Sequence, residues 1–330
     1  MTQTYPTVQP GRMRRNPVLR TMGEMAVPGP EKFIWPVFIK EGSGLKDPIS
    51  ALPGQYYYSV DTVCADIQKV IDQGVKSILV FSVVDSEGKD RDGTEAWNLD
   101  GVAQQAVREI RKDFPDIVIL ADVGLTGYTE SGSAYIFNEG GRFDNELTLP
   151  VLRKIALSFA EAGVDVVAPS AMVDGMVGEI RKALDEKGFK EVSILSYSTK
   201  INSNCMRTFP FGNSGKKQIF LDRGAYLTSP LDERKAIRES VIDEAEGADM
   251  LMVKPAILYL DWISNIKEKT SIPLVAYNVS GEYSMMAGML EKGFADLHGL
   301  IKETLCSIHR AGADVIISYW ANQYDKIFRN

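Results

Sequence analysis

The segment Gly247-Ala248-Asp249-Met250-Leu251-Met252-Val253-Lys254 contains the pattern that decides the fold. Its glycine is typical of a helix end, where the backbone angle φ becomes positive. The apolar run that follows has no polar alternation, as expected for a strand that is buried on both faces of a sheet. The segment therefore predicts a helix end, a turn and a buried strand over Met250–Lys254.

The same arrangement recurs along the chain. Three similar turns also precede apolar runs, namely Gln73-Gly74-Val75, Ala162-Gly163-Val164-Asp165 and Ala311-Gly312-Ala313-Asp314. The predicted strands are Phe33–Ile39, Ser77–Val83, Ile117–Val123, Val164–Pro169, Ser193–Ser198, Met250–Lys254, Ile272–Asn278 and Val315–Tyr319. Helical spacing of apolar residues fills the stretches between them, so the chain reads as repeated βαβ units. Eight such units favour an α/β fold with a single (β/α)8 TIM barrel, and an open doubly wound sheet is the alternative.

Bulk composition narrows the function classes. The 330 residues are 45% hydrophobic and 25% charged, which is ordinary for a globular protein. A formal net charge of −7 argues against a nucleic-acid partner. No apolar run suits a signal peptide or a bilayer span, so we expect a cytoplasmic protein. Cys64, Cys205 and Cys306 lie far apart, so neither a disulfide framework nor a structural zinc site is expected.

Two segments lie outside the repeat. Residues 1–30 are rich in proline and predict an extended N-terminal arm, which leaves 31–330 as the TIM-barrel catalytic domain. Residues 201–231 form a long polar insertion after the fifth strand. Because a loop of that length at the active-site end of a barrel usually covers the site, we expect this insertion to be a lid.

Chemistry-bearing side chains follow several predicted strands, at the end of the barrel where catalytic groups lie. They are Asp122, Lys200, Lys254, Ser280 and Tyr319. Two lysines on neighbouring strand ends disfavour each other's protonation, and a neutral amine attacks ketones, so the pair indicates Schiff-base chemistry. Alternatively, one lysine pairs with a carboxylate such as Asp122 and only supports the structure.

Several motifs together resemble the 5-aminolevulinate dehydratase (porphobilinogen synthase) family, over nearly the whole chain. The similarity is carried by Met252-Val253-Lys254-Pro255-Ala256, Tyr259-Leu260-Asp261, Val279-Ser280-Gly281-Glu282-Tyr283, Tyr197-Ser198-Thr199-Lys200, Ala168-Pro169-Ser170 with Asp174-Gly175, Gly93-Thr94-Glu95-Ala96 and Met13-Arg14-Arg15. The resemblance implies a hydro-lyase that joins two 5-aminolevulinate molecules into porphobilinogen in tetrapyrrole (heme) biosynthesis.

The resemblance also implies roles for single residues. Lys254 matches the lysine that forms a Schiff base with the first substrate, and Ser280 and Tyr319 match the hydroxyls that hold its carboxylate. Lys200 matches the second lysine, on the acetate side. Asp122 matches an acid near the reaction centre that is suited to proton transfer.

The loop after the third strand departs from the family pattern. Many relatives bind zinc there through three cysteines, and others have aspartates, whereas this chain has Gly124, Thr126 and Ala134 at those positions. These residues make poor metal ligands, so no metal or other cofactor is expected at the active site.

The lid departs as well. Arg207 lies near the position of the arginine that would hold the acetate-side carboxylate, and Asp222-Arg223 with Tyr226 resembles a later family motif whose lysine and glutamine are Gly224 and Leu227 here. Three interpretations remain open: a porphobilinogen synthase, a relative that condenses 5-aminolevulinate or a similar amino-ketone with a different second substrate, and a non-catalytic ligand-binding barrel.

Two further expectations come from the resemblance. The family assembles as a homo-oligomer (an octamer, hexamer or dimer) in which the arm wraps a neighbouring subunit. Some relatives bind a regulatory Mg²⁺ through a glutamate that matches Glu239, although a solvated helix glutamate is the simpler interpretation.

Overall fold

The computed structural model describes residues 7–206 and 222–329. The strands in these ranges are β1 (Phe33–Lys40), β2 (Lys46–Pro48), β3 (Tyr56–Tyr58), β4 (Ser77–Val83), β5 (Val118–Val123), β6 (Val166–Pro169), β7 (Ser193–Lys200), β8 (Met250–Lys254), β9 (Leu274–Asn278) and β10 (Val315–Ser318). The α-helices are α1 (Pro17–Met22), α2 (Val60–Asp72), α3 (Val102–Asp113), α4 (Asn145–Ala162), α5 (Met176–Glu186), α6 (Glu233–Ala245), α7 (Leu260–Lys269), α8 (Ser280–Glu291), α9 (Leu297–Arg310) and α10 (Tyr324–Phe328).

Eight parallel strands close into a barrel. The order runs β1, β4, β5, β6, β7, β8, β9, β10, and β10 pairs with β1 through Ile316 opposite Phe33. This closure confirms the predicted (β/α)8 barrel and excludes the open doubly wound sheet. The bounds of β4 and β8 are as predicted, and the other six strands differ by one or two residues at an end.

β2 and β3 were not predicted. They form a three-residue antiparallel pair, and β3 lies alongside the last part of β1 through Phe38 opposite Tyr57. A strand of three residues is too short to show a hydrophobic period, so the sequence pattern gave no signal for it.

The repeated Gly-x-Asp turns hold the barrel at the end where the strands begin. Gly163, Gly247 and Gly312 have φ values of 101°, 102° and 119°, which favour glycine. In each repeat, the aspartate carboxylate accepts an N–H from the first two residues of the strand before it. The pairs are Asp165 with Ile119, Asp249 with Ile194 and Asp314 with Leu274, each at 2.7 Å.

The N-terminal segment lies outside the barrel. Residues 7–30 contain α1 and a short turn of helix at Pro10–Arg14, and neither includes a buried residue. Contact with the barrel begins near Pro28, which is buried and whose carbonyl accepts the Tyr324 hydroxyl at 3.0 Å. In the parts of the chain that are described, no helix is long and apolar enough to cross a membrane.

The two ends of the insertion after β7 pair with each other. Thr228 donates its N–H to the carbonyl of Lys200 at 3.0 Å and accepts the N–H of Asn202 at 2.9 Å. Ile201 donates to the carbonyl of Lys254 at 2.8 Å. The insertion therefore leaves and re-enters the barrel at one place, directly beside the two lysines.

Candidate active site

The structure brings three of the predicted site residues together at the carboxyl ends of the strands. Lys200 is the last residue of β7 and Lys254 is the last residue of β8, and the two stand opposite each other in the β7–β8 register. Asp122 lies on β5, and its charge acts on both lysines. The strand ends therefore place two amines and one carboxyl close enough for their charges to act on one another.

Burial is the main influence on the lysines. It lowers the pKa of Lys254 to about 7, and the charge of Lys200 lowers it further while Asp122 opposes the change. Burial likewise lowers the pKa of Lys200 to about 8, against the charge of Asp122. Both side chains remain partly exposed at the barrel mouth. A large share of Lys254 therefore carries a neutral, nucleophilic amine near neutral pH.

Asp122 has the opposite perturbation. Burial raises the pKa of this carboxyl, whereas Lys200, Lys254 and a hydrogen bond from Ser170 lower it. Its Oδ1 atom is buried without a hydrogen-bond partner among the described residues. A buried acceptor without a donor destabilises the folded state. A hydrogen bond from a bound molecule would offset that cost, so Oδ1 is suited to contact substrate.

Ser170 connects Asp122 to Lys200. Its backbone carbonyl accepts a hydrogen bond from Lys200 Nζ at 2.5 Å, and its hydroxyl donates to the Asp122 carboxylate. Lys200 therefore donates its hydrogen bond to a neutral carbonyl rather than to Asp122. The alternative of a purely structural lysine–carboxylate pair would need a direct ion pair between these two residues, and they do not form one.

Aromatic rings surround Lys254. Its Nζ lies 4.4 Å from the ring centroid of Tyr277 and 4.9 Å from that of Tyr197. The Tyr197 hydroxyl is buried without a hydrogen-bond partner. Ring faces contact the ammonium favourably and exclude water, so they shape an apolar pocket around the amine.

The two predicted carboxylate-binding hydroxyls come from the next two strands. Ser280 is the first residue of α8, after β9, and is almost fully buried. Tyr319 directly follows β10, and its hydroxyl lies 3.2 Å from the Tyr277 hydroxyl, whose ring contacts Lys254. Lys254, Ser280 and Tyr319 therefore follow three consecutive strands, β8 to β10.

The described end of the insertion after β7 contributes two of the residues predicted from the sequence. The Arg223 guanidinium is close enough to lower the pKa of Lys200. Tyr226 is buried against Tyr135 and Phe143, with ring centroids 5.4 Å and 5.3 Å away. Tyr226 therefore packs this end of the insertion onto the loop after β5. Arg207 lies outside the described residues.

The loop after β5 does not fit a metal. A Cβ atom at Gly124 would overlap the Ser170 hydroxyl oxygen, so that hydroxyl occupies the room of a ligand side chain. Ala134 is buried and has no donor atom. Across the described ranges, no three His, Cys, Asp or Glu side chains form a group that could hold a metal ion.

Glu239 lies on α6 rather than at a strand end. It lines a cavity of about 590 Å³ between α6 and the loop after β6, together with Asp174 and Glu246. Burial raises the pKa of Glu239, and the charges of Asp174 and Glu246 raise it further, whereas the charges of Lys235 and Arg238 lower it. The net effect of this environment disfavours the ionised form of the carboxyl.

Sequence reasoning gave no role to Tyr197, Tyr277 or Ser170, although Tyr197 and Ser170 stood inside quoted motifs. All three lie on or directly after barrel strands, at the end that carries the lysines. Their position in β7, in β9 and after β6 is the signal that would have selected them.

Known proteins agree with this geometry. A sequence profile of the family described as delta-aminolevulinic acid dehydratase matches residues 7–327. Delta-aminolevulinic acid dehydratase of Synechococcus elongatus is 40% identical over 320 residues, which cover 96% of this chain and 97% of that protein. The same-named protein of Methanothermus sociabilis is 41% identical over 318 residues, with 96% and 97% covered.

A solved structure supports the same assignment. It is delta-aminolevulinic acid dehydratase (porphobilinogen synthase) from Toxoplasma gondii in complex with the reaction product porphobilinogen. It superposes with a TM-score of 0.89 at 36% identity and covers 97% of this chain and 91% of that one. The fold, the profile and the relatives agree: the chain belongs to the delta-aminolevulinic acid dehydratase family.

Proposed function

We propose that this protein is a porphobilinogen synthase, a lyase that condenses two 5-aminolevulinate molecules into porphobilinogen. The observation that carries the proposal is the lysine pair: Lys200 and Lys254 face each other on neighbouring strand ends, and burial lowers the pKa of each. Family membership supports the substrate assignment.

Lys254 begins the reaction in this proposal. Its neutral amine attacks the ketone carbon of one 5-aminolevulinate, and the ketone oxygen leaves as water when the imine forms. The hydroxyls of Ser280 and Tyr319 donate hydrogen bonds to the carboxylate of this molecule. The rings of Tyr197 and Tyr277 keep bulk water from the imine.

Lys200 and Asp122 act on the second half of the reaction. Lys200 engages the ketone of the acetate-side molecule, and loss of a proton next to an imine gives the enamine that forms the carbon–carbon bond. Asp122, next to both amines, is placed to move protons in these steps. The carbon–nitrogen bond and a final proton loss complete the pyrrole, so two substrates give one porphobilinogen and two waters, and both lysines are released.

The two substrate positions differ in what holds the carboxylate. The Lys254 side has two buried hydroxyl-bearing residues, whereas the Lys200 side depends on arginines of the lid, Arg223 and Arg207. The family's acetate-side arginine has no exact counterpart in this chain, and the loss of one charge-assisted contact of about 1.5–3 kcal/mol weakens binding by about one to two decades. We therefore expect the acetate-side molecule to bind more weakly than the first.

Borohydride trapping with 5-aminolevulinate tests the function. We expect a covalent adduct on Lys254 that is lost, together with turnover, in Lys254→Met, while Lys200→Met loses turnover and keeps part of the adduct. Pyrrole formation, measured by its colour reaction, should saturate at about ten- to a hundredfold higher substrate than the adduct. An undiminished adduct in Lys254→Met would refute the assignment. An adduct without any pyrrole would instead mean that the second substrate is another compound.

The reaction is proposed to need no metal at the active site. The Ser170 hydroxyl fills the space beside Gly124, and neither Gly124 nor Ala134 offers a ligand atom. We expect less than one zinc per chain by elemental analysis and, with Mg²⁺ kept in the buffer, unchanged turnover after dialysis against a zinc-selective chelator. One tightly held zinc whose removal abolishes turnover would contradict this.

Two further proposals follow the family resemblance. A regulatory Mg²⁺ would bind Glu239 through one carboxylate and several waters, the usual mode for this ion, and would relieve the repulsion from Asp174 and Glu246.

The chain is also proposed to form a homo-oligomer through its arm, in which the apolar side chains of Val18, Met22 and Met25 are exposed.

A further inference from the structure

A buried hydrogen-bonded chain joins the ends of the three strands that lead into Lys254, Ser280 and Tyr319. Its members are Glu282, Asn278 and Ser318, and all three side chains are fully buried. Asn278 ends β9, Ser318 ends β10, and Glu282 lies in the first turn of α8. None of the three was assigned a role in the reaction above.

Glu282 makes the first link, between β8 and β9. Its Oε1 accepts the N–H of Ile257 at 2.6 Å, and the N–H of Ala256 also donates to its carboxylate; both residues follow Lys254 closely. Its Oε2 accepts the N–H of Val279, next to Ser280, at 3.0 Å. One carboxylate therefore binds the backbone directly after the Schiff-base lysine and directly before the carboxylate-binding serine.

Asn278 and Ser318 continue the chain to β10. The Asn278 side-chain amide donates to Glu282 Oε2 at 3.1 Å, and its Oδ1 accepts the Ser318 hydroxyl at 3.0 Å. The Ser318 hydroxyl in turn accepts the N–H of Trp320 at 3.2 Å. These bonds run on both sides of Tyr319, so the third strand end is tied to the other two.

Capping α8 would require neither the full burial of Glu282 nor its hydrogen bonds to the backbone after β8. Glu282 caps α8 through Val279, but a capping carboxylate is normally exposed and serves only its own helix. Here burial raises the pKa of Glu282 to about 7, a cost that the bonds to a second strand end offset. Such a chain limits relative movement of the strand ends, because any shift leaves a buried donor unpaired.

We propose that Glu282 is a positioning residue for the reaction, which through Asn278 and Ser318 sets the spacing of Lys254, Ser280 and Tyr319. This inference rests on the proposed function of those three residues. The substrate spans them, since its ketone must reach Lys254 while its carboxylate reaches the two hydroxyls. A displaced strand end would therefore weaken imine formation even when Lys254 keeps its reactivity.

The test uses 4-oxopentanoate, which has the ketone and carboxylate of 5-aminolevulinate but no amino group. Adduct formation on Lys254 under borohydride is titrated by mass spectrometry for the full-length protein and for Glu282→Gln. The glutamine keeps the size of the side chain but replaces one carboxylate oxygen with an NH₂ group. This donor would face the N–H donors that Glu282 now accepts from. We expect its half-saturating concentration to rise by at least about tenfold.

Asp249→Asn is the matched control. Asp249 also accepts a backbone N–H between neighbouring strands, but at the far end of β8 from Lys254. It should lower the midpoint of thermal unfolding without changing the titration.

The exchange variant Glu282→Gln with Asn278→Asp restores a donor–acceptor pair between the two side chains, so it should recover part of the affinity. Ser318→Ala, a milder change, serves if Glu282→Gln does not fold.

The outcomes separate the two proposals. If the unaltered protein forms the 4-oxopentanoate adduct but no pyrrole from 5-aminolevulinate, the proposed function fails and the positioning role is still measured. If Glu282→Gln and Ser318→Ala only lower the unfolding temperature, as Asp249→Asn does, Glu282 is a structural cap and the inference is wrong. If the unaltered protein forms no adduct with either compound, both proposals fall.

Discussion

Lys254 experiences opposing influences that can be separated by mutation. Burial and the charge of Lys200 lower its pKa, whereas the charge of Asp122 raises it. Its neutral form predominates above the pKa and disappears as the pH falls through it. Imine formation should therefore have a midpoint near pH 7 rather than near the ordinary lysine value of 10.5.

Replacing Lys200 tests this balance. Lys200→Met removes a lowering influence and leaves Asp122, so the midpoint for trapped adduct on Lys254 should move to higher pH. The measurement is the initial rate of adduct formation between pH 5 and 10, with borohydride pulses at each pH. Lys182→Met, at an exposed position of α5, should leave the midpoint unchanged. An unchanged midpoint in Lys200→Met would show that the two amines do not interact.

The strand-end rule explains which site residues could be predicted from the sequence. Lys200, Lys254 and Asp122 stand out because ionised groups at the ends of apolar runs are expensive to bury without a purpose. Glu282 gives no such signal, because a glutamate in the first turn of a helix is usual. Its role depends on Ala256 and Ile257, which only the closed barrel brings near it.

The Gly-x-Asp turns are the smallest repeated element, and each aspartate joins two adjacent strands. Asp314→Ala would leave the N–H of Leu274 unpaired at a fully buried residue and would also remove the ion pair with Lys267. We expect a loss of about 1–3 kcal/mol in the free energy of unfolding, measured by urea denaturation. The turnover of the folded protein should not change, because Asp314 lies at the opposite end of β10 from Tyr319.

Asp100→Ala provides the comparison for this element. The Asp100 side chain is 94% exposed and makes only a 3.9 Å ion pair with Arg108, so its loss should barely affect stability. Equal stability of the two variants would show that the repeated carboxylates do not hold the barrel.

Elements differed in how well the sequence predicted them. All eight barrel strands were predicted because each is an apolar run, and four of them also follow a glycine-containing turn. α1 was missed within the arm: it is six residues long, begins at a proline and is capped by Asn16, whose side chain accepts the N–H of Val18. A helix this short has no apolar face that a periodic pattern could reveal.

At the scale of the whole molecule, the arm is one part whose apolar side chains a single chain leaves exposed. Val18, Met22 and Met25 are 67%, 73% and 65% exposed, and a lone chain gains nothing by ordering them. Removal of residues 1–27, which keeps Pro28 and its bond to Tyr324, should leave a folded barrel with a smaller assembly mass by light scattering. Met22→Ser with Met25→Ser should weaken the assembly in the same direction. An unchanged mass in both would exclude the arm from subunit contacts.

The paired base of the insertion has a consequence for how this fold can vary. Because Thr228 pairs with Lys200 and Asn202, the segment between residues 203 and 227 begins and ends at fixed positions beside the barrel. Its length and composition can change without moving either lysine. The half of the pocket around Lys254 can therefore stay the same while the other half adapts to a new partner molecule, so the family can diversify its chemistry by exchanging one loop.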